Sequence, residues 1–366
     1  MKNTDLTPVQ FERLQEQRTR YTQPAFFIQI VLVVALMLMP LVIPSFRIMD
    51  VVAKIMIFTV VVASYDLILG YTGILSFAHG MFFGIGAYSV ALLTYHSGSP
   101  QWYHLILAVG VTLIFSVVLS LIIAFFSLRV KTIFFALVTL AMAGYAEILA
   151  IQWYDLTLAE DGVSFKLPGI FSVDWTGGNF LGTQLNGRLM TYYLILIMSV
   201  AFFVVLLRFV RSPVGRVLKS IRENEKRSTA LGYKTFRYQI YSIVFGSSIA
   251  SLAGILFAMW LRYVNPESVL GVGTMFNILL MVIIGGLGTL YGSIIGVTFI
   301  NVCETWLPDL LNFVAGLLPG NEIFLRLTER WVLYFGILFI LVVIFFPKGF
   351  IGTARDILAG NKGPSR

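Results

Sequence analysis

Long apolar runs recur along the 366-residue chain, and several reach the roughly 20 apolar residues that a helix needs to cross a bilayer. Because 58% of the residues are apolar and only 12% are charged, an ordinary soluble domain is excluded. The sequence therefore predicts an all-α fold, a polytopic membrane helical bundle of about ten spans. The expected spans are 26–46, 51–69, 73–95, 104–128, 132–151, 190–210, 238–262, 271–285, 289–307 and 331–347.

Positive charge is distributed unevenly among the segments that connect these runs. If the N-terminus is cytoplasmic, the connections on that side hold 19 of the 26 Lys and Arg. Because Lys and Arg concentrate in cytoplasmic loops, the sequence predicts that both termini are cytoplasmic. The expected parts are a polar N-terminal segment at 1–25, a transmembrane domain at 26–347 with a cytoplasmic loop at 211–237, and a cytoplasmic tail at 348–366.

Two segments are rich in glycine, GYTGILSFAHGMFFGIGAY at Gly70–Tyr88 and IIGGLGTLYGSIIG at Ile283–Gly296. Each holds a pair of glycines four residues apart, which favours close packing of helices in lipid. Alternatively, each is a broken helix whose freed backbone groups line a path, as in transporters built from two related halves. The two interpretations remain open. The glycine pairs are Gly80 with Gly84 and Gly288 with Gly292.

Three acidic residues fall inside predicted spans, namely Asp66, Glu147 and Glu304. An ionisable side chain at membrane depth is costly, so it is a candidate for a functional site. Glu304 lies near a span end and could simply reach the interface, and a lone His79 could be a packing residue. The residues expected along a translocation path are Asp66, Gly73, Ser76, His79, Gly80, Glu147, Gly285, Gly286 and Gly288.

The stretch SPVGRVLKSIRENEKRSTALGYKTFRYQIY, which begins at Ser212, holds seven of the 26 Lys and Arg in thirty residues. Its basic and apolar residues fall on different arcs, which predicts an amphipathic helix over Val214–Lys226. Ser212 and Pro213 suit the start, and Gly232 suits the end. Such a helix could lie on anionic lipid, could only enforce topology, or could dock into a soluble partner. Its embedded acids favour docking, because an anionic membrane surface would repel them.

This stretch resembles the cytoplasmic loop of the LivM-like permease subunits of ABC importers for branched-chain and other hydrophobic amino acids. The segments LGYTGILSFAHGMFFGIGAYSVALL, FFALVTLAMAGYAEIL, LLMVIIGGLGTLYGSIIG and FFPKGFIG carry the same resemblance, which covers about 51–352. It implies an inner-membrane transport subunit that is not an enzyme and has a homologous permease as heterodimer partner. It also implies two cytoplasmic ATP-binding subunits, an external substrate-binding protein and surrounding membrane lipid, with no nucleic acid. By the same resemblance, the contact that couples the permease to the ATPase involves Arg216, Lys219, Ser220, Arg222, Glu223 and Glu225.

No cofactor, metal or catalytic residue is expected, because the chain has no phosphate-binding loop and only one cysteine, Cys303. Asp66 stands where members of this family often have Asn, and the outer loop Leu156–Phe165 departs from the family pattern. Two alternatives remain. One is a urea or short-amide ABC permease, and the other is an ion-coupled secondary transporter with Asp66 and Glu147 as its cation site.

Overall fold

The computed structural model describes residues 31–43, 45–128, 132–172, 174–180, 183–316 and 330–358, so the N-terminal segment 1–25 lies outside the described residues. Helices dominate these ranges, which confirms the all-α prediction. They are α1 (Val31–Val42), α2 (Phe46–Asp66), α3 (His79–His96), α4 (Trp102–Ser127), α5 (Thr132–Gln152), α6 (Gly187–Arg211), α7 (Pro213–Glu223), α8 (Glu225–Ala230), α9 (Thr235–Leu261), α10 (Val272–Gly285), α11 (Leu290–Gly316), α12 (Trp331–Phe345) and α13 (Gly349–Leu358).

Eight helices in the described ranges are long and apolar enough to cross a membrane, compared with about ten expected spans. The predicted span 26–46 lies partly outside the described residues, and its described helix α1 is short. The predicted span 73–95 begins later than expected, because residues 72–78 are not helical and α3 starts only at His79. The predicted span 271–285 is longer than expected, since a helical turn at Pro266–Val269 precedes α10.

Two small antiparallel sheets were not predicted from the sequence. Strand β1 (Val163–Ser164) pairs with β4 (Tyr263–Val264), and β2 (Thr176–Phe180) pairs with β3 (Thr183–Asn186). The first pair joins the connection after α5 to the connection after α9. We call this the β-strand end of the bundle, and the opposite end, where α7 lies, the α7 end.

Helix α9 forms the centre of the bundle and packs against α2, α3 and α4. Small residues allow the backbones to approach closely, because a Cβ atom on Gly86 would overlap the carbonyl oxygen of Ser251, and one on Gly254 would overlap that of Phe83. This contact between α3 and α9 is of the small-residue type that holds helices together in lipid. Apolar side chains elsewhere, on α4, α5 and α12, remain exposed, as expected for surfaces that face lipid or another subunit.

Polar side chains fix the helix ends at the β-strand end. Trp260 Nε1 donates a hydrogen bond of 2.8 Å to Asp50 Oδ1, and Lys54 forms an ion pair of 2.8 Å with the same carboxylate. The guanidinium of Arg188 lies 4.1 Å from the ring centroid of Phe46. These contacts connect the first residues of α2 and α6 to the last turn of α9.

Candidate functional site

Helix α7 is amphipathic, as the sequence predicts. Pro213 occupies its first turn, and Ser212 Oγ accepts a hydrogen bond of 3.4 Å from the Gly215 N–H at its start. The residues that face the bundle are buried, whereas the charged residues of the same helix are exposed. The buried residues are Gly215, Val217, Leu218 and Ile221, and the exposed ones are Arg216, Lys219, Arg222 and Glu223.

The predicted helix Val214–Lys226 is wrong in its C-terminal part, because α7 ends at Glu223. Asn224 is extended and begins α8, where its side chain accepts a hydrogen bond of 2.9 Å from the Arg227 N–H. An Asn that can cap a new helix interrupts the old one. Ser220 and Ser228 join the two helices through their hydroxyl groups, 2.9 Å apart. Gly232, with a φ of +91°, closes the turn after α8.

The first glycine-rich segment is a real interruption of helical structure at the α7 end. Helix α2 passes into a π-helical turn at Leu67–Tyr71, and the chain remains non-helical until α3 begins. The hydroxyl of Thr72 donates a hydrogen bond of 3.0 Å to the Leu67 carbonyl, and the Ser242 hydroxyl donates one of 3.3 Å to the same oxygen. Side chains therefore satisfy a backbone acceptor that the interruption frees, as a membrane interior requires.

The second glycine-rich segment also interrupts the helices. Helix α10 ends at Gly285, and a turn through Gly286 and Gly288, both with positive φ, leads into α11. Thr289 Oγ1 donates a hydrogen bond of 2.6 Å to the Gly286 carbonyl within this turn. Such φ values suit glycine, which has no Cβ.

The two predicted glycine pairs have different outcomes. Gly288 lies in a turn, so the predicted packing pair with Gly292 on one helix face is wrong. Gly80 and Gly84 do form a packed face, against Met275 and Leu270 respectively. The close-packing interpretation thus holds for part of the first segment, and the interruption is found in both.

Arg222 brings both interruptions and α7 together. Its Nη1 donates a hydrogen bond to the Gly70 carbonyl in the π-helical turn. Asp66 Oδ1, at the end of α2, accepts a hydrogen bond of 2.7 Å from the Gly288 N–H. We call this group, with the adjacent Gly73, the Arg222 junction. A cavity of about 300 Å³ adjoins it, lined partly by Gly73, Arg222 and the residues between α7 and α8.

Other residues expected along a path lie beside this junction or deeper in the bundle. His79 is fully buried, with Nε2 2.9 Å from Ser64 Oγ and its ring 5.2 Å from that of Tyr65. The Gly80 N–H lies 3.4 Å from Met275 Sδ. Ser76 is buried at the non-helical segment, Gly285 packs on the Gly292 backbone, and Gly286 packs beside the Lys348 carbonyl.

Glu147 is separated from this group. It lines a cavity of about 550 Å³ with Asn265, Glu267 and the first residues of α10. The Arg222 junction lies beyond the other end of α10, so the 14 residues of that helix place Asp66 and Glu147 about 20 Å apart. The two acids therefore do not form one cation site. Within the described ranges, no three His, Cys, Asp or Glu side chains are close enough to hold a metal ion.

Sequence reasoning missed Ser64 and Gly70. Ser64 is a common small polar residue inside a span, and only the fold shows that it binds His79. Gly70 was included in a glycine-rich segment but not assigned a contact. A carbonyl acceptor leaves no signal in the sequence, because every residue has one.

The fold and the site define a multi-pass membrane protein in which two helix interruptions meet an exposed amphipathic helix at one end of the bundle. The chain belongs to the family of permease components of the branched-chain amino acid transport system, which matches residues 47–345. It is therefore a membrane transport permease subunit of an ABC importer, located in the cell membrane.

The chain is similar to the high-affinity branched-chain amino acid transport system permease protein LivM of Salmonella typhimurium, with 27% identity over 331 residues, 87% of this chain and 73% of that protein. A probable LivM of Methanocaldococcus jannaschii is 25% identical over 76% of this chain and 80% of that protein. The permease protein LivH of Salmonella typhimurium is 23% identical over 81% of this chain and 91% of that protein. No solved structure matches the chain.

Proposed function

We propose that this permease moves branched-chain or other neutral amino acids into the cytoplasm, driven by ATP hydrolysis on a separate partner chain. The similarity to proteins named LivM and LivH supports this cargo. The proposed assembly contains a homologous permease as heterodimer partner, two cytoplasmic ATP-binding subunits and an external substrate-binding protein.

The observation that carries this proposal is the two-sided character of α7. Its apolar side is buried against the bundle, so the helix has a fixed position, and its charged side faces outward at the α7 end. A charged, exposed surface on a fixed helix suits docking to a soluble partner better than insertion into lipid. The proposed contact with the ATPase consists of Arg216, Lys219, Ser220, Arg222, Glu223 and Glu225.

The proposed orientation places the α7 end in the cytoplasm. Both termini then lie on the cytoplasmic side, with the polar segment 1–25 and the tail 348–366 there, and the transmembrane permease domain extends over 26–347. The basic residues at the α7 end, including Arg208, Arg211 and Lys348, support this assignment, because Lys and Arg favour the cytoplasmic side. About ten crossings are proposed, with the span 26–46 and α3 contributing beside the eight long helices.

We also propose that the residues expected along the path belong to two places on it. The cavity beside Glu147 is the external mouth, and the Arg222 junction with Asp66, Gly73 and Gly288 lies at the cytoplasmic mouth. Between them, Ser76, His79, Gly80, Gly285 and Gly286 shape the packing that encloses the path. A second permease subunit supplies the opposite wall.

The test is purification of the tagged chain from its own membranes in mild detergent, followed by reconstitution of everything that copurifies into vesicles. We expect an ATPase and a second permease to copurify, and we expect leucine uptake that requires ATP hydrolysis and the substrate-binding protein. A non-hydrolysable ATP analogue is the matched control and should abolish uptake. Uptake of urea in place of leucine would show that the cargo is urea and not an amino acid. Uptake by this chain alone under an ion gradient would overturn the proposal.

A further inference from the structure

Three glycines surround the side chain of Arg222. Its Nη1 donates to the Gly70 carbonyl, and its Cγ lies where a Cβ on Gly73 would approach it to 3.3 Å. On the other side, a Cβ on Gly288 would lie 2.5 Å from Nη1 and 3.0 Å from the Gly70 oxygen. A side chain at Gly288 would therefore require the guanidinium to move.

The same three glycines belong to two different interruptions of the bundle. Gly70 lies in the π-helical turn that ends α2, and Gly73 begins the non-helical segment before α3. Gly288 lies in the turn between α10 and α11. Arg222 itself lies one residue before the end of α7. One side chain thus lies against both interruptions.

Asp66 adds a second connection between the two interruptions. Its carboxylate accepts the Gly288 N–H, and this contact connects residues 222 positions apart in the chain. A Cβ on Gly70 would overlap that carboxylate, so Gly70 leaves the space that Asp66 occupies. Asp66 thus holds Gly288 beside Gly70, where Arg222 lies between them.

We propose that Arg222 is the positioning residue that transmits movement of α7 to the membrane helices. This inference rests on the proposed function, because it requires a partner ATPase that moves α7. When α7 shifts, Arg222 either pulls the π-helical turn and the α10–α11 turn with it or leaves its site between the glycines. Arg222 is exposed like Arg216 and Lys219, but its Nη1 reaches the Gly70 carbonyl of the bundle, a contact that distinguishes it from those two residues.

An arginine suits this role because its planar guanidinium presents five donors in fixed directions. One donor holds the Gly70 carbonyl, and the plane fits the narrow space that Gly288 leaves open. A lysine has the same charge but a single tetrahedral ammonium, so it would not reproduce this geometry.

The test uses the reconstituted complex and measures three quantities: the amount of ATPase that copurifies, the ATPase rate, and the substrate transported per ATP hydrolysed. The first variant is Arg222→Gln, and its matched control is Lys226→Gln, which removes the same charge from an exposed residue of α8. The second variant, Gly288→Asn, fills the arginine site from the opposite side and leaves the outward face of α7 unchanged. Asn is chosen because it tolerates positive φ better than most side chains.

We expect both variants to retain the ATPase and hydrolyse ATP while transport per ATP falls about tenfold or more, the effect of losing one hydrogen bond to a charged group. The control variant Lys226→Gln should transport as much substrate per ATP hydrolysed as the unchanged protein does. If Arg222→Gln transports as much substrate per ATP as the unchanged protein, the inference is overturned. Loss of the ATPase from Arg222→Gln would also overturn it, by showing that Arg222 acts only through the docking contact. Failure of the unchanged chain to bind any ATPase would instead refute the proposed function.

Discussion

Replacement of Asp66 tests whether this buried acid acts as a hydrogen-bond acceptor. Asp66 is 1% exposed, and its Oδ1 accepts the Gly288 N–H at 2.7 Å. Asp66→Ala removes the acceptor and leaves a backbone donor unsatisfied inside the bundle. Asp66→Asn keeps an acceptor oxygen of the same shape and is the matched control.

The expected cost of Asp66→Ala follows from that one contact. An unsatisfied buried donor costs about 1–3 kcal/mol. For a large domain, each kcal/mol lowers the melting temperature by roughly 2 °C, so we expect a decrease on the order of 2–6 °C. Asp66→Asn keeps this hydrogen bond but places its NH2 group at the position of Oδ2, which has no hydrogen-bond partner among the described residues, so we expect a melting temperature between those of the unchanged protein and Asp66→Ala.

The assay is thermal denaturation in detergent. After heating, we measure the fraction of protein that still elutes as a single species in size-exclusion chromatography. Leucine uptake is measured on the same preparations. If Asp66→Asn destabilises the protein as much as Asp66→Ala does, the acceptor role is refuted, and the negative charge itself would be required. If Asp66→Asn is stable but changes which substrates are transported, Asp66 contacts the substrate.

Three further replacements test other parts of the structure. Gly254→Ala should destabilise the bundle by about 1–3 kcal/mol, because the new Cβ overlaps the Phe83 carbonyl. The control is Gly110→Ala, whose Cβ meets open space, and equal melting temperatures of the two variants would contradict the packing of α3 on α9. Gly80→Ala should be tolerated, since its Cβ would lie 3.4 Å from that of Met275, whereas Gly80→Leu should abolish assembly or uptake. Full uptake by Gly80→Leu would show that this contact is dispensable. Lys219→Glu, on the exposed face of α7, should lower the amount of ATPase that copurifies, and unchanged recovery would argue against docking through this face.

The helical bundle could be predicted because its signals are local. Apolar runs give the helices, and the alternation of buried and charged residues gives α7. Ser212 and Pro213 fix the start of α7 correctly. Asn224 could have indicated the end of α7, since Asn favours the start of a new helix. The sequence alone, however, does not show whether such a residue continues a helix or interrupts it.

The candidate site could be predicted only in its components. Asp66, Arg222, Gly73 and Gly288 were identified, but the contacts of Arg222 with Gly70 and of Asp66 with Gly288 join residues 152 and 222 positions apart. No periodicity within a helix encodes such pairs, because they depend on how α2, α7 and α10 pack. The sheet of β1 and β4 was missed for the same reason, since these strands are two residues long and pair across the connections after α5 and α9.

Close helix packing and helix interruption, the two interpretations of the glycine-rich segments, apply to different glycines. Gly80, Gly84, Gly86 and Gly254 lie in helices and allow close packing in the middle of the bundle. Gly70, Gly73 and Gly288 lie where regular helical hydrogen bonding is interrupted, and a backbone without those bonds changes shape at lower cost than the interior of a helix. Arg222 contacts only the second group. In the mechanism that we propose, a displacement of α7 would therefore act first on these interrupted segments, and the close packing of α3 on α9 would make those two helices move together.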